Sequence, residues 1–327
     1  MSSIYNPFER FAFPENECFL SGQAVETSDK ISVFPEWIMQ RYSLHDKNMT
    51  MLAENIVKYS DIKVPCAPQV KEKIDFLEKE IQEAFEAGYE AVKTIAEIKL
   101  FQWMAKMLYG VLYNDFVHGI RHMKTQDKAF TLSPLLTKKY SNLHLMLQSI
   151  IRNIEFVNFT PWSISIVPVN YSKDIFNYKD ETKNVNFSLG MNDFGIVACL
   201  QDNGENKREQ ENLLNKIVPK KLHPIQFEEL CARFLYSNYL LHNSSDYRFG
   251  VTDKTVVIES IPLPEDNKEP LFGKWDDKTF SQVLANFWKP WGFTSNDIYT
   301  FPDSPISYLI NDYTNEFIDP ESITLPR

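Results

Sequence analysis

The stretches Cys18-Phe19-Leu20-Ser21-Gly22 and Ile31-Ser32-Val33-Phe34-Pro35-Glu36-Trp37 determine how the N-terminal part of this chain is interpreted. The first has the form of a turn that starts with a cysteine, and the second predicts a short strand followed by a helix. A third stretch, Val64-Pro65-Cys66-Ala67, brings a second cysteine just before a long helical pattern. Two cysteine-bearing turns therefore flank the predicted strand and helix.

These three blocks resemble the HNH endonuclease superfamily, and within it a bacterial HNH-like group with a treble-clef arrangement. In that group the pattern is Cys-x-x-Cys, then Glu-His-Val-Phe-Pro-x-Trp-Leu, then Pro-Cys-Cys-x-x-Cys-Asn before a Glu-rich helix. The resemblance covers roughly residues 15 to 90. It implies a treble-clef segment around structural zinc, and a histidine that activates water for nucleic-acid cleavage.

The chain departs from that pattern wherever the chemistry depends on a particular residue. Ser21 stands in place of the second knuckle cysteine, and Ser32 stands in place of the histidine. Two thiolates do not complete a tetrahedral zinc site, and serine is no base for water near neutral pH. The sequence therefore predicts no catalytic residue, no bound metal and no cofactor. The motif remnants are Cys18, Ser21, Ser32, Cys66 and Lys71, the last near the expected asparagine.

Histidines elsewhere offer an alternative site. His45 precedes an aspartate, and His118 and His122 are four residues apart with Asp115 one turn before them. Side chains at this spacing share a helical face, so the last three could hold a metal ion. The competing interpretation is an exposed His45 and two histidines favoured by the dipole at a helix C-terminus, with Gly119 interrupting that helix.

Composition limits the classes of partner. The 327 residues carry 44 acidic and 34 basic side chains, for a net charge of −10, which disfavours binding to a phosphate backbone. Short basic patches at Lys138-Lys139 and Lys216–Lys221 keep nucleic-acid binding open. Only 10 glycines accompany a 14% aromatic content, which indicates aromatic packing rather than phosphate-cradling loops.

The cysteines and the hydropathy of the chain indicate the cellular compartment that we expect. Four cysteines are widely scattered, which is typical of reduced thiols rather than of a disulfide framework. The start of the chain lacks the features of a signal peptide, and no stretch reaches the roughly 18 uninterrupted apolar residues of a membrane span. We therefore expect a cytoplasmic protein that does not enter a membrane.

Periodicity predicts an α+β fold. Helical patterns begin near residues 35, 68, 94, 141, 224 and 277, and the second long one ends near residue 118. Strand patterns cover 163–169, 185–189, 195–200, 247–249 and 255–261. The expected architecture is an N-terminal degenerate treble-clef-like segment, a helical middle, and a C-terminal antiparallel sheet with packed helices. Residues 1–153 and 154–327 form two domains or one continuous domain.

Three functions fit these patterns. The first is a non-catalytic HNH-like descendant that acts through protein interaction or regulation. The alternative is a divergent metal-dependent nuclease that uses His45 or the pair His118 and His122. The third is an assembly protein whose C-terminal aromatics form an interaction surface. Those aromatics are Trp275, Trp288, Trp291 and Phe293.

Overall fold

The computed structural model describes residues 4–52, 56–218, 220–242, 246–252, 255–262, 264, 266, 269–299 and 305–325. In chain order the described helices are α1 (Glu36–Arg41), α2 (Pro68–Ala87), α3 (Tyr89–Val92), α4 (Glu97–Thr125), α5 (Pro134–Leu147), α6 (Glu205–Glu209), α7 (Glu211–Ile217), α8 (Pro224–Leu240), α9 (Asp277–Trp288) and α10 (Ser295–Ile298). The described strands are β1 (Lys30–Ser32), β2 (Asn48–Thr50), β3 (Ile56–Lys58), β4 (Lys63–Pro65), β5 (Ile154–Val157), β6 (Ser163–Pro168), β7 (Phe176–Glu181), β8 (Asn186–Met191), β9 (Phe194–Cys199), β10 (Asp246–Val251) and β11 (Val256–Ile261). The α+β class predicted from the sequence is confirmed.

The chain folds into two compact units, each built from separate segments. The first comprises Met1–Ala84, Ile95–Asn158 and Tyr247–Glu259. The second comprises Phe85–Thr94, Phe159–Asp246 and Ser260–Arg327. A single division after residue 153 does not reproduce these units, because residues 85–94 belong to the second unit and residues 154–158 and 247–259 belong to the first.

A two-stranded ribbon lies at the centre of the first unit's N-terminal part. Strands β1 and β4 pair antiparallel, with Lys30 opposite Pro65 and Ser32 opposite Lys63. The central pair is buried, while the two lysines point to solvent, as expected for strands with one covered face. We call this element the β1–β4 ribbon.

Helix α4 forms the core of the first unit and packs against β4 and α5. Its apolar residues cover most of its circumference, so it is buried along most of its length. The predicted end near residue 118 is wrong, because the helix continues through Gly119 to Thr125. Within the described part of the chain, no helix has the length and apolar character needed to cross a bilayer.

Smaller sheets complete the first unit. Strands β2 and β3 form an antiparallel pair, and a second sheet has the order β10-β11-β5 with β11 parallel to β5. The predicted hairpin around residues 252–254 joins β10 and β11, but residues 253 and 254 lie outside the described residues. Helix α5 starts at Pro134 after a Ser133 cap, earlier than the predicted start near residue 141.

The second unit is built on a four-stranded antiparallel sheet in the order β6-β9-β8-β7. Strands β8 and β9 are buried along their whole length, and α8 packs on both of them. The alternating patterns near residues 163–169, 185–189 and 195–200 correctly predicted three of these strands. Strand β7 was missed because its sequence, Phe-Asn-Tyr-Lys-Asp-Glu, mixes apolar and charged residues, and all six are half-buried.

The C-terminal aromatics belong largely to the core of the second unit. Trp288 is fully buried and donates its indole N–H to the carbonyl of Ile225 at 3.0 Å. Phe293 is buried beside it, while Trp275 and Trp291 are partly buried against the same core. The expectation that these four form an interaction surface is therefore wrong for Trp288 and Phe293, because α9 turns Trp288 inward and Phe293 packs against it.

Candidate functional site

Main-chain hydrogen bonds bring both cysteine-bearing turns to one end of the β1–β4 ribbon. The N–H of Phe19 donates to the carbonyl of Pro65 at 2.8 Å, and the N–H of Cys66 donates to the carbonyl of Asp29 at 2.9 Å. The first turn is closed by Cys18, whose N–H donates to Gln23 and whose carbonyl accepts from Gly22. Residues distant in sequence therefore converge at this point.

Cys18, Ser21 and Cys66 form what we call the thiol cluster. Both cysteines are buried free thiols, with exposed fractions of 0% and 3%. The hydrogen bond from the Cys66 thiol, helped by the Ser21 hydroxyl, lowers the pKa of Cys18. The same contact raises the pKa of Cys66, because a negative charge on Cys18 holds the Cys66 proton in place. Of the two thiols, Cys18 is thus the one whose thiolate is favoured.

A chain of polar side chains closes the outer side of the thiol cluster. The hydroxyl of Ser21 donates to the amide oxygen of Gln23 at 3.3 Å. The amide of Gln69, in the first turn of α2, donates to that same oxygen. Ser21 and Gln69 are thus tied together by hydrogen bonds through Gln23.

Ser32 lies at the other end of the ribbon, under a buried lysine of α4. The Lys106 ammonium group donates to the carbonyls of Ser32 and Val33 at 3.0 and 2.8 Å, and to the Glu78 carboxylate at 2.6 Å. The Lys106 side chain is 2% exposed, and its three donors match three acceptors. A fixed positive charge therefore occupies the surroundings of Ser32.

The last predicted remnant, Lys71, lies one turn after Ala67, and its N–H donates to the Ala67 carbonyl at 2.9 Å. It is an exposed residue of α2 that pairs with Asp75 one turn later at 2.5 Å. An exposed pair at this spacing contributes little to stability. Lys71 therefore has the surroundings of an ordinary solvated side chain.

The alternative residues do not assemble into a site. His45 contacts Glu36 at 2.8 Å, Asp115 is buried and accepts from the N–H of Leu52 at 3.1 Å, and His122 contacts Gln126 at 2.9 Å. Across the described ranges, no group of three or more His, Cys, Asp and Glu side chains is placed to hold a metal ion. Asp115 is instead engaged by the main chain that follows β2.

His118 has a concave environment. It lines a cavity of about 260 Å³ between the β1–β4 ribbon and α4, which we call the α4 cavity. Its charged lining residues are Glu15, Lys30, Asp61, Lys63 and Arg121. The Glu15 carboxylate contacts both Lys30 and Arg121. Both signs of charge are thus held around one opening.

Helical spacing explains how α4 serves both ends of the ribbon. Lys106, Gly110, Asn114 and His118 follow one another at intervals of four residues, so they share one face. Asn114 donates to the carbonyl of Lys63 at 3.2 Å, which fixes this face against β4. The sequence signal for Lys106 was present, since it is a charged residue in an otherwise apolar stretch of the helix.

Comparison of the chain with protein-family profiles, with curated proteins and with solved structures gives no match. The function must therefore be inferred from the ribbon, the thiol cluster and the α4 cavity themselves.

Proposed function

We propose that this chain is a non-catalytic HNH-like protein that acts by binding a protein partner. The observation that carries the proposal is the contact of the Lys106 ammonium group with the carbonyls of Ser32 and Val33. In the proposed ancestry, Ser32 stands at the position of the water-activating histidine. A cation bound there would lie beside a buried ammonium group, and like charges at this distance repel strongly.

The thiol cluster supports the same proposal. Structural zinc requires four soft or nitrogen ligands, whereas only Cys18 and Cys66 offer thiols. Ser21, Gln69 and Val70 lie near the positions of the other ligands, and the first two hydrogen-bond to Gln23. Hydrogen bonds and packing thus perform the cross-linking that a metal ion would otherwise provide.

The α4 cavity is the proposed binding site. The Lys63 and Arg121 cations favour an acidic side chain, while Glu15 and Asp61 repel the continuous negative charge of a nucleic-acid backbone. The net charge of −10 also disfavours binding of a nucleic acid. We therefore propose a protein partner that presents an acidic residue to this cavity, and we place this interaction in the cytoplasm.

Metal content and cleavage assays test the non-catalytic part. We expect elemental analysis of protein purified without chelators to give far less than one zinc per chain, and no cleavage of DNA or RNA with Mg²⁺ or Mn²⁺. Stoichiometric zinc, or cleavage that exceeds that of a mock purification, would contradict the proposal.

Charge reversal tests the partner. A partner captured by the wild-type protein from cells of its source should be lost or weakened by about tenfold or more in Arg121→Glu, because its acidic residue would meet a like charge. The matched control is Lys79→Glu, which reverses an exposed charge on α2 outside the cavity. Equal effects of the two variants would exclude the α4 cavity as the binding site.

One observation favours the alternative, a divergent nuclease. His118 lines the same cavity as Lys63 and Arg121, and these side chains are suited to contact phosphates. This alternative requires divalent-ion-dependent cleavage that His118→Ala abolishes while His45→Ala leaves it unchanged. Such a result would replace the proposal of a non-catalytic protein.

A further inference from the structure

We propose that Cys18 and Cys66 form an intramolecular disulfide when the protein meets hydrogen peroxide, so that the thiol cluster is a site of reversible oxidation. This inference does not depend on the proposed function, because it rests only on the arrangement of the two thiols.

The backbone around both cysteines is fixed by hydrogen bonds. Phe19 donates its N–H to Pro65, and Cys66 donates its N–H to Asp29, at 2.8 and 2.9 Å. Residues 18 and 66 are therefore neighbours on two anchored turns, and both side chains are buried there. A disulfide requires two closely apposed Cβ atoms, and two buried thiols on neighbouring anchored turns come near to this requirement without moving the ribbon.

The surroundings of the Cys18 sulfur favour its thiolate, which is the reactive form of a cysteine. The neighbouring Cys66 thiol lowers the pKa of Cys18 most, and the main-chain N–H groups of Ala67 and Leu20 act in the same direction. Cys18 is therefore the attacking residue, and Cys66 is the residue that resolves the intermediate.

The reaction has two balanced steps. The Cys18 thiolate attacks one peroxide oxygen, the O–O bond breaks, and hydroxide leaves and takes up a proton, which gives Cys18 sulfenic acid and water. The Cys66 sulfur then attacks the Cys18 sulfur, the S–O bond breaks, and the hydroxyl group leaves as water with the Cys66 proton. Two thiols lose two electrons and two protons, and one peroxide is reduced to two water molecules.

Access to the thiols requires only a local opening. Both thiols are buried, yet Ser21 is half-buried and Gln23 is exposed in the same short turn. Surface turns open at far lower free energy than the whole fold. Hydrogen peroxide is close to water in size, so a brief opening of this turn is sufficient.

The second unit supplies internal controls. Burial raises the pKa of Cys231 well above its usual range, and the Cys199 thiol lies beside the Asn186 amide at 3.2 Å in buried strand β9. Both are expected to behave as unreactive core thiols. Reaction confined to Cys18 and Cys66 would therefore reflect their site rather than general exposure to oxidant.

Mass spectrometry of the full-length protein tests the inference. The folded wild-type protein is treated with hydrogen peroxide, then alkylated and digested without reductant. We expect a peptide that joins Cys18 to Cys66, an intact mass lower by two hydrogens, and full reversal by dithiothreitol. Unmodified thiols at both positions, a link that involves Cys199 or Cys231, or overoxidised Cys18 without a disulfide would overturn the proposal.

Two substitutions assign the roles. In Cys66→Ser the sulfenic acid on Cys18 should persist and be trapped by dimedone, whereas Cys18→Ser should give no trapping at Cys66. Cys231→Ser is the control and should form the disulfide as the wild type does. The wild-type mapping stands if a variant fails to fold. Trapping at Cys66 in Cys18→Ser at the rate seen for Cys18 would overturn the assigned order of attack.

Discussion

At the scale of single residues, Lys106 has the greatest consequence for the first unit. Its ammonium group is buried with a carboxylate and two main-chain carbonyls, and each N–H has an acceptor. Burying a charge is costly unless its partners are complete. The group is therefore stable in place but sensitive to the loss of any one member.

Lys106→Met tests this sensitivity. The substitution keeps most of the side-chain volume but leaves the Glu78 carboxylate and two carbonyls without their donor, so we expect a loss of about 3–5 kcal/mol in the free energy of unfolding. Urea denaturation measures it. The matched control is Lys99→Met, a substitution on the same helix as Lys106. It breaks the exposed ion pair between Lys99 and Glu80 of α2 and should cost about 1 kcal/mol or less. Equal losses in the two variants would contradict the assigned role of Lys106.

The residues of the site were only partly predictable from the sequence. The blocks containing Cys18 and Cys66 identified two turns that a main-chain hydrogen bond joins, because their local turn patterns are strong. The contact of Lys106 with Ser32 joins residues of two elements, and no local pattern specifies which main-chain carbonyls a buried lysine will meet. The α4 cavity was missed for the same reason, since its lining comes from four separate stretches.

At the scale of elements, the approach of α4 to the β1–β4 ribbon depends on a missing side chain. A Cβ atom on Gly110 would lie 2.5 Å from one methyl carbon of Val33 and 2.8 Å from the other. These distances are shorter than any stable carbon–carbon contact. Glycine at this position therefore lets the helix approach closely enough for Lys106, one turn earlier, to reach the carbonyls of residues 32 and 33.

Gly110→Ala tests this packing. Helix propensity alone predicts a gain of roughly 0.8–1 kcal/mol, whereas the clash with Val33 predicts a net loss of about 1–3 kcal/mol in the free energy of unfolding. In the double variant Gly110→Ala with Val33→Ala, both methyl groups of Val33 are absent. Its loss of unfolding free energy should therefore be smaller than the sum of the losses in the two single variants. A stabilised single variant, or strict additivity in urea denaturation, would show that the two elements are not in close contact.

The wrong prediction for the end of α4 also comes from a glycine that allows close tertiary packing. Gly119 weakens the local helix signal, so the sequence predicted an interruption there. In the folded chain the space left by its missing side chain is filled by the Phe130 ring, 2.6 Å from where a Cβ atom would lie. Tertiary packing thus compensates for a poor helix former, and it does so through a residue that local periodicity does not connect to the helix.

At the scale of the whole molecule, the α+β class followed from helical periods in one half and strand periods in the other. The composition of each unit did not follow, because residues 85–94 and 247–259 join units that periodicity alone does not reveal. The two units also bury titratable groups of opposite type, which gives each its own dependence on pH.

In the first unit, full burial lowers the pKa of His144 from 6.5 to about 4. The neutral ring lies 2.9 Å from the carbonyl of Phe19, to which its Nε2–H donates. Between these pH values the unfolded chain binds the proton more tightly than the folded chain. The stability of this unit therefore falls as the pH drops from 6.5 to 4, by about 3 kcal/mol.

In the second unit, burial raises the pKa of Asp180 from 3.8 to about 6. Here the folded chain binds the proton more tightly in the interval between those values. The contribution of Asp180 therefore has the opposite sign, and the unit gains about 3 kcal/mol as the pH drops from 6 to 3.8.

We expect acidification from pH 7 to pH 4.5 to weaken the first unit relative to the second. Hydrogen exchange with mass spectrometry, corrected for the intrinsic exchange rate, should show reduced protection in α4 and α5 and retained or increased protection in β7 and β8. His144→Gln keeps a donor for Phe19 but does not titrate, so it should flatten the dependence in the first unit alone. Asp180→Asn should flatten it in the second unit alone, because the amide stays neutral at every pH. A variant that changes both units equally, or parallel changes in the wild type, would show that these two side chains do not control the response.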